Sequence, residues 1–404
     1  MAKRGNHSRV LVYSHDTFGL GHLRRCRAIG HALVARHSEM SVLILSGSPI
    51  IGSFDFRSRV DFIRVPGVIK LRNGEYTSLN LHIDTEETLA MRTSIIEHTA
   101  EIFDPDLFIV DKEPLGLRGE VKGTLQLMRD RGTPTVLGLR DVMDEPALLA
   151  PEWERKKVLP ALEDLYDHIW IYGLRQICDP LEGIDVPASV GEKTAYTGYL
   201  RRTVPQAAWA TVPPIDGDYI LVTPGGGGDG EVMVDWVLRA YEADNPPDLP
   251  AVIVLGPFMS AEAQAGFVER AAQLASIEIL TFDNKIERLI HDAVGVVAMG
   301  GYNTFCEILS FDKRAVLIPR TKPRLEQHIR ATRAAALGLV TTLSADNGTP
   351  TDVMTEALRK LPTQQKPSEA MIPGMMGGLD VVDRLVQQII HPGAPIADQV
   401  RYTA

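Results

Sequence analysis

Short runs of consecutive apolar residues recur along the chain, separated by longer stretches in which apolar positions return every three or four residues. RVLVYS (9–14), SVLILSG (41–47), PDLFIVD (105–111), TPTVLGLRD (133–141) and HIWIYG (168–173) read as buried strands. Between Leu23 and Ala35 the small and apolar residues Ala28, Ile29, Ala32 and Leu33 fall at helical spacing, and 85–103 has the same period. The polar run NGEYTSLNLHID (73–84) reads as a loop. Buried strands joined by helical crossovers are βαβ units, which imply a parallel sheet. AYTGYLRR (195–202) closes this series, and QAAWATVPPIDGD (206–218) has the proline and polar content of a linker. The alternation then restarts with DYILVT (218–223), AVIVLGP (251–257), IEILTF (277–282), GVVAM (295–299) and AVLIP (315–319). The pattern predicts two doubly wound α/β domains, residues 1–202 and 203–376, and a tail, 377–404, that carries the amphipathic run LDVVDRLVQQII.

Open sheets of this kind bind ligands beyond the carboxyl ends of their strands, so the loops there hold the candidate chemistry. Gly300 and Gly301 follow GVVAM and open a helical segment that carries Asn303, Thr304 and Glu307. Such a turn lets backbone N–H groups approach an anion, and the helix start favours negative charge. A diphosphate suits it. Glu307, about two turns in, can accept two hydrogen bonds from a ribose diol. After AVLIP the loop RTKPRLEQ brings Arg320 as a phosphate-neutralising cation and Gln327, whose amide both donates to and accepts from sugar hydroxyls. The run Gly225, Gly226, Gly227 and Gly228 after DYILVT is a second diphosphate cradle, and it lacks the lysine of an ATP-hydrolysing P-loop. In the first half, GLGHLRRC supplies Gly19 and Gly21 for close approach, His22 as a general base, and Arg24 and Arg25 as phosphate or acceptor contacts. Asp111, at a strand end, is a candidate to orient His22, with Glu113 and Asp16 as rival carboxylates.

The order of glycine pair, helical Glu307, apolar strand ending in proline and loop with Gln327 resembles the donor-binding region of GT-B glycosyltransferases. The likeness is to the family-28 type, which includes the peptidoglycan N-acetylglucosaminyltransferase. The resemblance implies two Rossmann-like domains facing a cleft, Glu307 on the ribose of a UDP-sugar, Gln327 on the sugar, and Phe282, Asp283 and Ile286 lining the base pocket. It departs after Gln327, where His328 and Ile329 stand in place of an Asn-Ala start. AYTGYLRR is similar to the family's junction segment, and GHLRRC is also similar to the UDP-sugar hydrolase of pseudaminic acid synthesis.

Composition narrows the classes further. A net charge of -10 excludes a general nucleic-acid binder, and 404 residues with 45% hydrophobic content suit two globular domains. Three scattered cysteines make a disulfide framework or zinc cluster improbable, no metal-ligand spacing stands out, and no run reads as a secretion signal or membrane span. The expectation is a cytoplasmic, metal-independent, inverting glycosyltransferase that uses a nucleotide-sugar substrate and no cofactor. Its acceptor is open between a small molecule and a lipid-linked one, the latter implying peripheral contact at the inner face of the membrane. Two alternatives share the donor site: a UDP-sugar hydrolase with water as acceptor, and a nucleotide-sugar binding protein without catalysis.

Overall fold

The structure, a computed structural model, describes residues 7–15, 21–70, 76–210, 212, 214–226, 228–283, 285–346 and 348–393. The first half runs β1 (Ser8–Ser14), α1 (Gly21–Arg36), β2 (Met40–Ser46), β3 (Val60–Arg64), β4 (Val68–Lys70), β5 (Tyr76–Ser78), α2 (Thr85–Phe103), β6 (Leu107–Asp111), α3 (Lys122–Arg131), β7 (Thr135–Arg140), α4 (Pro146–Arg155), α5 (Val158–Leu165), β8 (His168–Tyr172), α6 (Ala188–Glu192) and β9 (Thr194–Tyr196). The second runs β10 (Ile220–Thr223), α7 (Glu231–Glu242), β11 (Ala251–Val254), α8 (Ala261–Ala271), β12 (Ile277–Leu280), α9 (Ile286–Asp292), β13 (Gly295–Ala298), α10 (Tyr302–Ser310), β14 (Arg314–Leu317), α11 (Glu326–Ala336), β15 (Thr341–Thr342), α12 (Thr351–Lys360) and α13 (Gly378–Ile390).

Seven strands form the first sheet in the order β3-β2-β1-β6-β7-β8-β9, and six form the second in the order β12-β11-β10-β13-β14-β15. All pairings in both are parallel. Strands β6, β10 and β13 are buried along their whole length, which is why they read as continuous apolar runs. In each sheet the strand order reverses beside the first strand, so the loops after β1 and β6, and after β10 and β13, part and leave a crevice. The two crevices face each other.

The run 73–84, expected as a loop, contains β5, which pairs antiparallel with β4 through Val68↔Ser78 and Lys70↔Tyr76. Tyr76 and Thr77 are good strand formers, and Thr85 Oγ1 donates to the Tyr76 carbonyl at 2.8 Å, tying the hairpin to α2. The linker 206–218 likewise holds a short 3-10 turn, Gln206–Ala210, around the buried Ala208.

One apolar core passes through the domain junction, where Tyr199 packs on Tyr302 and Phe305 with ring centroids 6.1 and 5.3 Å apart. Helix α13 lies against α1 in the first domain, burying Val382 and Val386. Its acidic face meets that helix's end: Arg36 pairs with Asp380 and Asp383, and His37 Nε2 lies 2.6 Å from Asp383.

Candidate active site

Topology brings the catalytic candidates together. His22 sits in the first turn of α1, directly after β1, and Asp111 ends β6, the neighbour of β1. Although 89 residues apart in sequence, His22 Nδ1 lies 2.5 Å from Asp111 Oδ2. A carboxylate only accepts, so Nδ1 carries the proton and Nε2 is left as the basic nitrogen of a ring that lines the cleft.

Arg25 was a candidate phosphate or acceptor contact, yet it is 1% exposed and clamps Asp111 through Nε to Oδ1 at 2.7 Å and Nη2 to Oδ2 at 2.6 Å. Burial alone would raise the Asp111 carboxyl, but Arg25 and His22 together outweigh it and hold Asp111 well below its ordinary range. Burial lowers His22 to about 4, against the attraction of Asp111 and with repulsion from Arg25 and Lys112. The ring is therefore neutral at physiological pH, the state a general base needs.

A cleft of about 450 Å³ lies between the domains. From the first it is lined by Gly21, His22, Arg24, Arg25 and Arg140. The second contributes Gly225, Gly226 and Gly228 after β10, Phe282, Asp283 and Ile286 at α9, Gly300, Gly301, Asn303 and Thr304 at the start of α10, and Arg320 with Gln327 at α11. Gly19 and Gly227 lie outside the described residues.

Two glycines are fixed by backbone geometry. Gly300 turns the chain at φ 78°, and its carbonyl accepts from Arg330 Nη1 at 3.0 Å. Gly256, in the GPF that follows β11, has φ 92°, and a Cβ there would lie 2.5 Å from the Gly225 carbonyl. Gly256 thus lets the Gly225–Gly226 turn close over the strand ends. The sequence expectation passed over it and Phe258, although both line the cleft; a glycine and proline ending an apolar strand were the available signal.

Polar partners differ from the simple expectation at several positions. Glu307 is 1% exposed and its Oε1 accepts from Arg24 Nη2, which also donates to Glu287 Oε1 at 2.7 Å. Arg24 thus lies on the expected ribose carboxylate and carries two acids from the other domain. Glu307 itself does not line the cleft. Burial, with repulsion from Glu287, pushes Glu307 up to about 7 despite the attraction of Arg24 and Arg202. Glu287, buried beside it, is held below its ordinary value by the same Arg24 guanidinium. Asn303 spans the domain gap, donating to the Gly21 carbonyl at 3.0 Å and accepting from Arg202 Nη2 at 2.9 Å. Gln327 Oε1 accepts from the Arg320 backbone N–H at 3.2 Å, and the Arg320 guanidinium reaches Asp229 and Glu326.

Beyond the cleft the domains are pinned by further ion pairs. Arg330 meets Asp141 through Nη2 to Oδ1 at 2.6 Å and Nε to Oδ2 at 2.8 Å, with neither side chain exposed. Arg140 Nη2 lies 2.5 Å from Glu326 Oε2, and Arg324 reaches Glu152 at 2.9 Å. Among the described residues no group of three or more His, Cys, Asp or Glu side chains is arranged to hold a metal ion, and no helix is long and apolar enough to cross a membrane.

Residues 233–376 match the model of the glycosyltransferase family 28 C-terminal domain. No curated protein sequence matches the chain. Among solved structures, the calicheamicin glycosyltransferase CalG4 is similar at 15% identity and a TM-score of 0.61, covering 97% of this chain and 100% of its own. The glycosyltransferase VinC in complex with dTDP matches at 15% identity and TM-score 0.60, over 95% of this chain and 98% of its own. A UGT transferase from Siraitia grosvenorii in complex with UDP matches at 14% and 0.58, over 95% and 100%. These likenesses give the two-domain GT-B architecture to the whole chain.

Proposed function

We propose that this GT-B chain, whose second domain belongs to glycosyltransferase family 28, transfers a sugar from a UDP-sugar to an acceptor hydroxyl with inversion at the anomeric carbon and without a metal. The observation that carries the reading is His22, oriented by Asp111, across one cleft from Gly225, Gly226, Gly228, Gly300 and Gly301. The second domain holds the donor: Phe282 and Ile286 beside the base, the glycine turns and the start of α10 on the diphosphate, and Gln327 on the sugar. His22 Nε2 takes the proton of the acceptor hydroxyl as its oxygen attacks C1. The sugar–phosphate bond breaks on the opposite face, and the charge that develops on the diphosphate is met by backbone N–H groups and Arg320. Asp111 stabilises the imidazolium. The resemblance, together with UDP in one similar structure, supports uridine as the base; dTDP in another keeps thymidine as the comparison.

Incubation with a panel of nucleotide-sugars and acceptors tests this: release of UDP that depends on an acceptor and is lost in His22→Ala is the expected result. A second reading keeps the same donor site and makes water the acceptor, which a cleft of about 450 Å³ accommodates. Acceptor-independent release of free sugar carrying label from ¹⁸O-water would establish it instead.

A further inference from the structure

A second interdomain cavity, about 800 Å³, lies along α1 beyond Arg24 and has no part in the chemistry described above. Its walls come from four parts of the chain: one face of α1, the loop 53–57 after β2, the junction 201–207, and Lys285 with Glu287 at the start of α9. Met376, with Leu379 and Asp380 of the first turn of α13, completes the wall. Seven arginine and lysine side chains line it against three carboxylates. Two of the seven are spent, Arg24 on Glu287 and Glu307 and Arg36 on Asp380 and Asp383. Arg27, Arg57, Arg201, Arg202 and Lys285 remain, with no carboxylate partner among the described residues and only Asp55 in the wall to offset them.

The excess charge is felt inside the cavity. His31 is lowered to about 4, by burial first and then by Arg27 and Arg57, and its Nε2 accepts from the Arg57 backbone N–H at 3.3 Å. Arg27 is lowered by burial and by repulsion from Arg24 and Arg202, against the pull of Glu287 and Asp55. Arg202, 7% exposed, spends only Nη2 on Asn303, while its Nε and Nη1 have no hydrogen-bond partner. Several cations converging on one partly enclosed volume, unpaired and repelling one another, form a site for a compact multivalent anion.

We propose that this cavity binds a small phosphoryl anion of the diphosphate class, and that the anion steadies the closed arrangement of the domains. Its cationic contacts come from the first domain (Arg27, Arg57), from the junction (Arg201, Arg202) and from the second domain (Lys285). An anion held by all three would tie the two domains to the junction between them. A free small anion fits, because both domains and the junction wall the space.

Inorganic pyrophosphate is the probe, with binding followed by calorimetry on the full chain in the presence of saturating UDP, which keeps the probe out of the donor cleft. The expected result is one equivalent bound with UDP present. In Arg57→Ala/Arg201→Ala, two exposed positions whose loss leaves the core intact, binding should be about tenfold weaker or lost. Circular dichroism confirms the fold of the variant. No binding with UDP present, or equal binding by wild type and variant, would overturn the proposal, whichever sugar chemistry the donor cleft performs. Steadying is read separately, as slower tryptic cleavage of the junction 201–207 with pyrophosphate bound; unchanged cleavage removes that part.

Discussion

Glu307 is the carboxylate expected on the donor's ribose, and its environment makes that role testable by pH alone. Burial and the neighbouring Glu287 push it up to about 7, so it is half ionised near neutrality. An ionised carboxylate accepts both hydroxyls of a diol, whereas the protonated form gives up an acceptor and presents a donor. With only the ionised form competent, the binding fraction rises from roughly one tenth at pH 6 to roughly nine tenths at pH 8, so donor affinity should rise about tenfold, some 1.4 kcal/mol. The assay is calorimetric titration with UDP-glucose or UDP-N-acetylglucosamine at matched ionic strength. A sugar-capped diphosphate is needed because the terminal phosphate of UDP titrates near pH 6 and would mask the effect. In Glu307→Gln the pH dependence should vanish, and affinity at pH 8 should drop by about 10- to 100-fold, the worth of a charged hydrogen bond. Since Arg24 occupies Glu307 in this structure, Arg24→Met adds a control: donor affinity in it should change and its pH dependence should shift. A wild-type affinity flat between pH 6 and 8, or a Glu307→Gln variant that keeps the slope, refutes the assignment of Glu307 to the ribose.

Further expectations follow from the same geometry. His22→Ala should lower turnover by about 10²- to 10⁴-fold while leaving UDP affinity within about twofold, read by coupled UDP release and calorimetry. Asp111→Asn leaves Arg25 buried beside a neutral amide and should cost about 3–5 kcal/mol in urea unfolding as well as turnover. Gly256→Ala, at φ 92° with its Cβ against the Gly225 carbonyl, should cost about 1–3 kcal/mol and weaken donor binding by displacing the Gly225–Gly226 turn. His15, His22 and His31 are lowered to about 3, 4 and 4, mainly by burial. The folded chain therefore binds fewer protons than the unfolded one below pH 6.5, and their contribution is full above pH 6.5 and lost as pH falls toward 4. Glu307 acts in the opposite sense, because its raised value gives stability that is complete below about 4.5 and lost as pH rises through 7. Glu307→Gln should therefore steepen the acid loss, measured as urea midpoints at pH 7.5 and 5.

Fold and site differ in how far the residues reveal them. The central parallel strands are buried on both faces and so appear as local apolar runs, which made two parallel α/β sheets accessible from pattern alone. The glycine turns, His22 and Gln327 fall in the loops and helix starts that follow the strands. The β4–β5 hairpin was missed because its strands are three residues each and only partly buried, leaving no period to read. The engagement of Arg24 and Arg25 was also beyond local reading. Both read as phosphate or acceptor contacts in GLGHLRRC, but adjacent residues on a helix point about 100° apart, so Arg25 turns inward to Asp111 and Arg24 reaches across to α9 and α10. Only the packing of the two domains decides which acid each one meets.

That packing gives the ion pairs different tasks. Arg330 and Asp141 are wholly buried and joined by two hydrogen bonds, and Tyr199 donates to the same carboxylate at 2.9 Å, so the pair fixes the rotation of one domain on the other. Removing one partner would leave an uncompensated charge, at a cost of about 3–5 kcal/mol. Arg24 is different. It bridges two acids of the second domain, one of which the donor is expected to need, and among the described residues it is the first-domain side chain that occupies that carboxylate. A ribose arriving at Glu307 trades a charged contact between domains for one within the second domain. Donor binding would thereby loosen one interdomain tie while the Arg330–Asp141 pivot holds, coupling occupancy of the second domain to the position of His22 on the first.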